Sequence, residues 1–299
     1  MDKHPFVLVL GFVFIVLISI FFAIAGGSHG SVVVINSDGS SIVISVFVFC
    51  ALISFLINWL AYIPAAIAKT ERYYDLIGSI TFLSMITVAV LFTPNLGWRA
   101  IMVSCMVCVW ALRLGLFLFR RVCLYGHDSR FDNVKVAPLK FLLTWTLQAF
   151  WTMLTAACAL VVITGGVDQS LSMITVLGIV CWLFGFTVEV IADQQKHNFR
   201  KDPNNKNKFI KTGLWAWSQH PNYFGEIVLW FGMALIAIPI LHGWQWLMLV
   251  SPLFVYLLLT KGSGIPTLEE KAKLKWGRDS GYQHYIKMTP QLFPLKPKR

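Results

Sequence analysis

The stretch "PFVLVLGFVFIVLISIFFAIA", residues 5–25, decides the fold class of this chain. It carries no charge, and a run of about 18 or more apolar residues is long enough to cross a bilayer as a helix. It is also too long for the apolar segment of a signal peptide, so we interpret it as a span. Seven more apolar runs follow, at roughly 42–67, 76–93, 99–121, 141–164, 171–191, 223–241 and 244–260. The sequence therefore predicts an all-α, polytopic transmembrane helical bundle of about eight spans, with seven possible.

The composition agrees with a membrane protein. Of the 299 residues, 57% are hydrophobic and only 13% are charged, whereas a soluble domain carries about 25% charged residues. We find no internal repeat and no soluble domain, so residues 1–299 are interpreted as a single membrane domain. The sequence makes no prediction of the oligomeric state.

The basic residues predict the orientation. With eight spans, 23 of the 25 lysine and arginine residues fall on the side of the membrane that holds both termini. By the positive-inside rule this side is the cytosol, and residues 261–299 form a cytosolic tail. The membrane would be a bacterial inner membrane or the endoplasmic reticulum. The net charge of +11 indicates contact with membrane lipid headgroups rather than with nucleic acid.

The connecting segments carry further expectations. The Gly/Ser-rich residues 26–41 lack lysine and arginine, and we expect a flexible connector on the outer side. The tail should contain one short amphipathic helix and an extended end. The Cys105-x-x-Cys108 pair lies in an apolar helix, where small packing residues are more common than a metal or redox site.

Polar residues at the end of span six lie on one helical face. The spacing of these residues is i, i+4, i+7 and i+11 for Glu189, Asp193, Lys196 and Arg200. If the helix continues beyond the membrane, all four lie on the same face of it. They could form a row of intrahelical salt bridges or one wall of a polar ligand site. Glu189 favours the ligand site, because it lies about one turn inside the span, where a charge is costly.

The stretch "WSQHPNYFGE", residues 217–226 and here called the His-Pro stretch, opens span seven. Pro221 suits a first helical turn, and Asn222 and Glu226 then share one face. The free N–H groups of that turn could receive an anion. Glu226 could instead act as a carboxylate near the positive end of the helix, but its depth favours a role in ligand binding.

Three arginines lie at the cytosolic end of span four. Arg113 could extend towards the interface, or pair with Glu189, with Glu226 or with a phosphate. Arg120 lies seven residues later on the same face, whereas Arg120 and Arg121 could also be solvated positive-inside residues.

A bulky ligand that bears phosphate, such as a nucleotide cofactor, suits this pole of the bundle. The chain has no G-x-G-x-x-G motif after a strand and no P-loop, so the membrane helices would have to bind it.

Four sequence segments carry a resemblance to a known family. "QHPNYFGE" (219–226) and "EVIADQQKHNFRKDP" (189–203) resemble the late span and the preceding polar helix of the steroid 5-alpha-reductase family. "ALRLGLFLFRR" (111–121) and "YDLIGSI" (74–80) are similar to multi-pass relatives grouped with the C-terminal domain of that family. The resemblance covers residues 74–299, and it is most specific over 189–226.

The resemblance implies an activity and a cofactor. Members of the family use NADPH to reduce a carbon–carbon double bond conjugated to a carbonyl in a lipophilic, steroid- or isoprenoid-like substrate. Asn222 and Glu226 match positions that hold the nicotinamide end, and Asp193 and Arg200 match further cofactor contacts. The proposed cofactor-binding set is Arg113, Arg120, Arg121, Glu189, Asp193, Arg200, His220, Asn222, Tyr223 and Glu226.

The expected catalytic residues depart from the family pattern. Reductases of the family place a tyrosine in the fourth-span region to donate to the substrate carbonyl, and the nearest position here is Trp110. An indole N–H donates a hydrogen bond but is no acid at neutral pH. In span two the polar candidates are Asn58 and Tyr62. The catalytic candidates are therefore Tyr62, Asn58 and Trp110.

Two other functions remain open. "HPNYFG" (220–225) and the tail "LEEKAKLKWGRDSGYQHY" (268–285) also resemble membrane methyltransferases of isoprenylated cysteine, which use S-adenosylmethionine. Those enzymes commonly have arginine where this chain has Gln219, whereas the 2′-phosphate of NADPH needs cations such as Arg200, Lys201 and Arg120. A non-catalytic lipid-binding or transport protein is the third reading, but the sequence shows neither inverted repeats nor broken helices.

Overall fold

A computed structural model describes residues 5–37, 40–125, 131–165 and 170–296. In this part of the chain seven helices are long and apolar enough to cross a membrane, or up to eight if one bent pair counts as a span. The protein is therefore an all-α, multi-pass membrane protein, as predicted from the sequence. The residues group into two compact units, Met1–Leu171 with Ala237–Ser251, and Ser172–Ile236 with Pro252–Arg299.

The first unit holds the early spans. Its helices are α1 (Pro5–Gly26), α2 (Val46–Ile67), α3 (Tyr74–Phe92), α4 (Trp98–Tyr125), α5 (Pro138–Thr155) and α6 (Ala157–Thr164). Two 3-10 helices, Ile238–Ile240 and Gly243–Leu249, also belong to this unit. The interior contains polar contacts between helices, such as the hydrogen bond of 2.9 Å from Ser54 Oγ to Ala149 O.

The second unit holds the remaining helices. They are α7 (Met173–Lys201), nearly all of α8 (Pro221–Ala237) and α9 (Val250–Thr260), then α10 (Ile265–Trp276) and α11 (Ser280–Met288). Two 3-10 helices, Pro203–Asn205 and Gly213–Ala216, lie between α7 and α8. Helix α7 is continuous through the polar residues to Lys201, which is the condition for these residues to share one face, and α8 begins at Pro221.

The predicted span 141–164 is bent, so the expectation that the chain has no broken helix is wrong. It comprises α5 and α6, which meet at an angle of 53°. Near the bend Thr152 Oγ1 lies 3.1 Å from Gln148 O and 3.0 Å from Ala149 O. Hydroxyls that bond back to carbonyls of the preceding turn compete with the helical N–H groups and often bend helices.

Two expectations about connecting segments are wrong. Residues 32–45 form no simple connector, because β1 (Val32–Ser37) pairs antiparallel with β2 (Ser40–Ser45), and α2 begins only at Val46. Both strands are rich in valine and isoleucine, which favour the strand conformation. The tail contains two helices rather than one, because α10 ends at Trp276 and a glycine-containing turn separates it from α11, which begins at Ser280.

Candidate functional site

Helices α7 and α8 pack with their backbones in close contact. A Cβ atom added at Gly185 would lie 2.5 Å from Leu229 N and 2.6 Å from Gly225 O. A Cβ atom added at Gly225 would lie 2.6 Å from both Glu189 N and Gly185 O. Only glycine fits these two positions without a shift of the helices. The approach brings Glu189 of α7 next to Gly225, the residue before Glu226.

The polar face of α7 contains two buried carboxylates. Glu189 is 2% exposed and Asp193 is 6% exposed. Further along the same helix Lys196 is half-buried, with its Nζ 4.4 Å from the centroid of the Trp215 ring. Two buried carboxylates on one face of a membrane helix make this face a candidate functional site.

The segment before α8 is fixed against α7. Trp215 Nε1 donates to Ala192 O at 3.0 Å, and the N–H of Leu214 donates to Gln195 Oε1 at 2.9 Å. Trp215 itself is buried. These contacts hold the 3-10 helix Gly213–Ala216 beside the polar face and so position the His-Pro stretch that follows.

Three of the predicted ligand-binding residues lie on the first turns of α8. Asn222, Tyr223 and Glu226 are all half-buried. Together with Glu189 and Asp193 they are carried by two helices in backbone contact within one compact unit. The structure therefore brings both predicted polar segments, on α7 and on α8, into the same part of the molecule.

His220 is a buried imidazole. It is 7% exposed, and neither ring nitrogen has a hydrogen-bond partner among the residues that the structure describes. Its ring stacks on that of Tyr223, with centroids 5.7 Å apart and planes at 13°. Burial, and secondarily the charge of Lys196, lowers the pKa of His220 from 6.5 to about 4. The imidazole is therefore uncharged at neutral pH.

A C-terminal segment, residues 285–293, contacts the His-Pro stretch. The backbone N–H of Gln219 donates to Pro290 O at 2.9 Å, and its side-chain Nε2 donates to Thr289 O at 2.6 Å. Ser218 Oγ donates to Leu292 O at 2.7 Å and accepts from the N–H of His220 at 3.1 Å. The position of His220 thus depends on a segment that lies about 70 residues later in the sequence.

Aromatic residues extend this contact. Tyr285 donates its hydroxyl to Trp215 O at 2.7 Å, and burial raises the pKa of this phenol. Phe293 packs against Phe224 with ring centroids 5.9 Å apart. Sequence reasoning missed the segment as part of the site, because it was expected to be an extended end. The available signal is Tyr285, which in the sequence supports only the methyltransferase resemblance.

The three proposed catalytic residues lie in the first unit, in contact with other residues of that unit. Asn58 is fully buried, and its Nδ2 donates to Ser54 O at 2.9 Å and to Thr81 Oγ1 at 3.2 Å. The Tyr62 hydroxyl donates to Pro138 O at 3.2 Å. Trp110 is buried with its ring edge-to-face against Phe82. These contacts give each residue a packing role, and their catalytic roles stay predictions.

The arginines of α4 also belong to the first unit. Arg113 lies over the ring of Phe117, at 5.5 Å from the centroid. Arg121 forms an ion pair of 3.4 Å with Asp75, and Arg120 is exposed. Their roles towards a cofactor stay predictions. Among the described residues no three His, Cys, Asp or Glu side chains are placed to hold a metal ion.

The fold and the site together define a class: a multi-pass helical membrane protein whose polar site is built by α7, the start of α8 and the C-terminal segment. The chain belongs to the family described as a protein of unknown function, DUF1295, which matches residues 61–289.

Short matches to curated proteins agree with the resemblance noted in the sequence. The bovine (Bos taurus) 3-oxo-5-alpha-steroid 4-dehydrogenase 1 is 36% identical over 67 residues, which is 22% of this chain and 26% of that protein. Its mouse (Mus musculus) counterpart is 36% identical over 60 residues, or 20% and 24% of the two chains. The match thus spans about a quarter of these relatives, and no solved structure matches the chain. The predicted similarity to the steroid 5-alpha-reductase family is confirmed.

Proposed function

We propose that the protein is a membrane-embedded reductase that uses NADPH to reduce a conjugated carbon–carbon double bond in a lipophilic, steroid- or isoprenoid-like substrate. One observation carries the proposal: two buried carboxylates lie on α7, and a buried imidazole lies directly before α8. The ring nitrogens of this imidazole have no hydrogen-bond partner among the described residues. The segments that contain them are those that resemble the reductase family. Ionisable groups buried in a membrane helix pair mark a functional site by default, and the imidazole nitrogens are available to a polar ligand.

The side chains of the second unit fit a dinucleotide. Glu189, Asp193 and Glu226 can accept from ribose hydroxyls or from an amide, because ionised carboxylates are acceptors only. Arg200 can neutralise a phosphate, and His220 offers two ring nitrogens with no partner in the described structure. When bound, NADPH would supply the hydride. The chain would bind and orient the coenzyme at the C-terminal end of α7 and the start of α8 and exclude water from it.

The proposal is tested by binding. The protein, purified in nanodiscs, should bind NADPH with low-micromolar or tighter affinity, measured by the fluorescence of the reduced nicotinamide. Glu226→Gln and Asp193→Asn should weaken binding about tenfold or more, since each removes a charge-assisted hydrogen bond. The matched control is Glu270→Gln, because Glu270 is an exposed carboxylate of α10. Wild-type protein that binds no NADPH would refute the proposal.

The second candidate is an S-adenosylmethionine-dependent methyltransferase of the isoprenylcysteine type. It is favoured by the contact of Tyr285 with Trp215, because the tail that carries this tyrosine resembles those enzymes. The same preparation distinguishes the two functions. Saturable binding of S-adenosylmethionine without binding of NADPH would favour methyl transfer.

A further inference from the structure

We propose that His220 binds an uncharged group of the coenzyme, a hydroxyl or an amide, and that the protein retains this histidine at the expense of its own stability. The inference rests on the proposed function and deepens it. It assigns one residue of the site to one part of the ligand, and it separates that residue from those that bind phosphate.

The position of His220 is fixed before any ligand arrives. Its backbone N–H donates to Ser218 Oγ, which in turn donates to Leu292 O. One face of the ring stacks on Tyr223. Since backbone and ring are both held, the imidazole has little freedom to turn its nitrogens towards water. Both nitrogens are shielded from solvent and have no partner in the part of the chain that the structure describes.

Such an arrangement is unfavourable for the folded protein alone. A buried polar group that lacks a hydrogen bond forfeits the hydration that it has in the unfolded chain. Buried polar groups in native proteins are nearly always satisfied, and exceptions occur at functional sites. An apolar ring of similar size would stack on Tyr223 equally well without this cost. The histidine is therefore explained by a ligand rather than by packing.

The charge of the ring identifies the chemistry of that ligand group. Burial and the neighbouring Lys196 keep the imidazole neutral at pH 7, so one nitrogen donates a hydrogen bond and the other accepts one. A neutral ring gains no charge attraction from a phosphate, which is better bound by Arg200. Ribose hydroxyls and the nicotinamide amide of a dinucleotide are uncharged and can both donate and accept. These groups are present in NADPH and in NADH alike.

The experiment uses His220→Phe in the full-length protein in nanodiscs. In the absence of ligand, we expect the midpoint of thermal unfolding to rise by about 2–4 °C, because an unsatisfied polar group is removed. Affinity for NADPH and for NADH should fall by the same factor, about tenfold. Arg200→Ala is the matched control, and it should weaken NADPH more than NADH. His220→Gln provides a second, polar variant, which should recover part of the binding.

The results separate the inference from the proposed function. A lowered unfolding midpoint in His220→Phe, unchanged dinucleotide binding, or a loss confined to NADPH would each overturn the inference while the reductase proposal stands. Wild-type protein that binds neither dinucleotide would refute both the inference and the proposed function. The 3-acetylpyridine analogue lacks the amide N–H but keeps a carbonyl oxygen. A penalty from His220→Phe that disappears with this analogue assigns the amide N–H, and one that persists assigns a hydroxyl or the carbonyl oxygen.

Discussion

At the scale of single residues, Lys196 and His220 are coupled through their charges. Lys196 contributes to the lowered pKa of the imidazole, after the larger effect of burial. We predict that Lys196→Gln raises the pKa of His220 above 4 but leaves it below 6.5, since burial persists. A nitrogen-15 NMR titration of labelled histidine would measure this. Lys201→Gln, at the exposed end of the same helix, is the control, and an equal rise there would contradict the assignment.

The same pKa predicts how stability depends on pH. The pKa of His220 is about 4 in the folded protein, below the 6.5 of the unfolded chain, so the unfolded chain takes up a proton first as the pH falls. The penalty for burying this imidazole is therefore smallest above pH 6.5, and it grows as the pH falls from about 6.5 to 4, so the protein loses stability over that range. Thermal unfolding midpoints over this range should fall less in His220→Phe than in wild type. Parallel curves for the two proteins would argue against the depressed pKa.

The sequence predicted the spacing of the candidate site residues better than their hydrogen bonding and burial. The i, i+4 spacing of Asn222 and Glu226 placed both on one helical face, because helical periodicity is a local property. That His220 lacks hydrogen-bond partners could not be predicted, since its surroundings are set by Ser218 and by residues some 70 positions later. Contacts of such separation depend on tertiary structure.

At the scale of elements, the contact between α7 and α8 depends on its glycines. We predict that Gly185→Ala destabilises the protein by about 1–3 kcal/mol, because the added methyl would overlap backbone atoms of α8. NADPH binding should weaken too, since Glu189 and Glu226 would be displaced. Thermal unfolding and a binding titration measure both effects. The control is Gly11→Ala in α1, where the nearest atom to the new Cβ is 4.0 Å away; an equal loss of stability there would count against the contact.

The hydroxyl of Tyr285 offers a second test at this scale. Tyr285→Phe should lower the free energy of unfolding by about 1 kcal/mol and weaken ligand binding, because it leaves Trp215 O without this donor. Tyr282→Phe is the matched control on the same helix, since the described structure shows no hydrogen bond from its hydroxyl. If both variants lost the same binding affinity, the C-terminal segment would have no specific role in the site.

The elements that were predicted correctly are those whose hydropathy is high when averaged over a long segment. Long apolar runs gave the spans, because the length of hydrocarbon to be crossed is fixed. The hairpin of β1 and β2 was missed, although its valines and isoleucines and the intervening Asp38-Gly39 are typical of hairpins. The glycine and serine residues around these strands favoured the interpretation as a flexible connector. The division of the tail into α10 and α11 depends on a short turn, and hydropathy gives little information about turns of that kind.

At the scale of the whole molecule, the bent pair α5–α6 determines the topology. If it crosses the membrane there are eight spans and both termini lie on one side, whereas seven spans place them on opposite sides. The distribution of basic residues favours eight spans and cytosolic termini. Reporters fused before residue 5 and after Arg299 should therefore both be cytosolic. An external signal from either one would contradict this topology.

The contact between the His-Pro stretch and the C-terminal segment also has a consequence for biosynthesis. Residues 218 and 219 bond to partners 67–74 positions later in the chain. At the usual rate of translation this separation corresponds to roughly 3–15 s. Membrane insertion of α7 and α8 can therefore precede these contacts, and a nascent chain halted within this interval would lie in the bilayer with its His-Pro stretch not yet held in place.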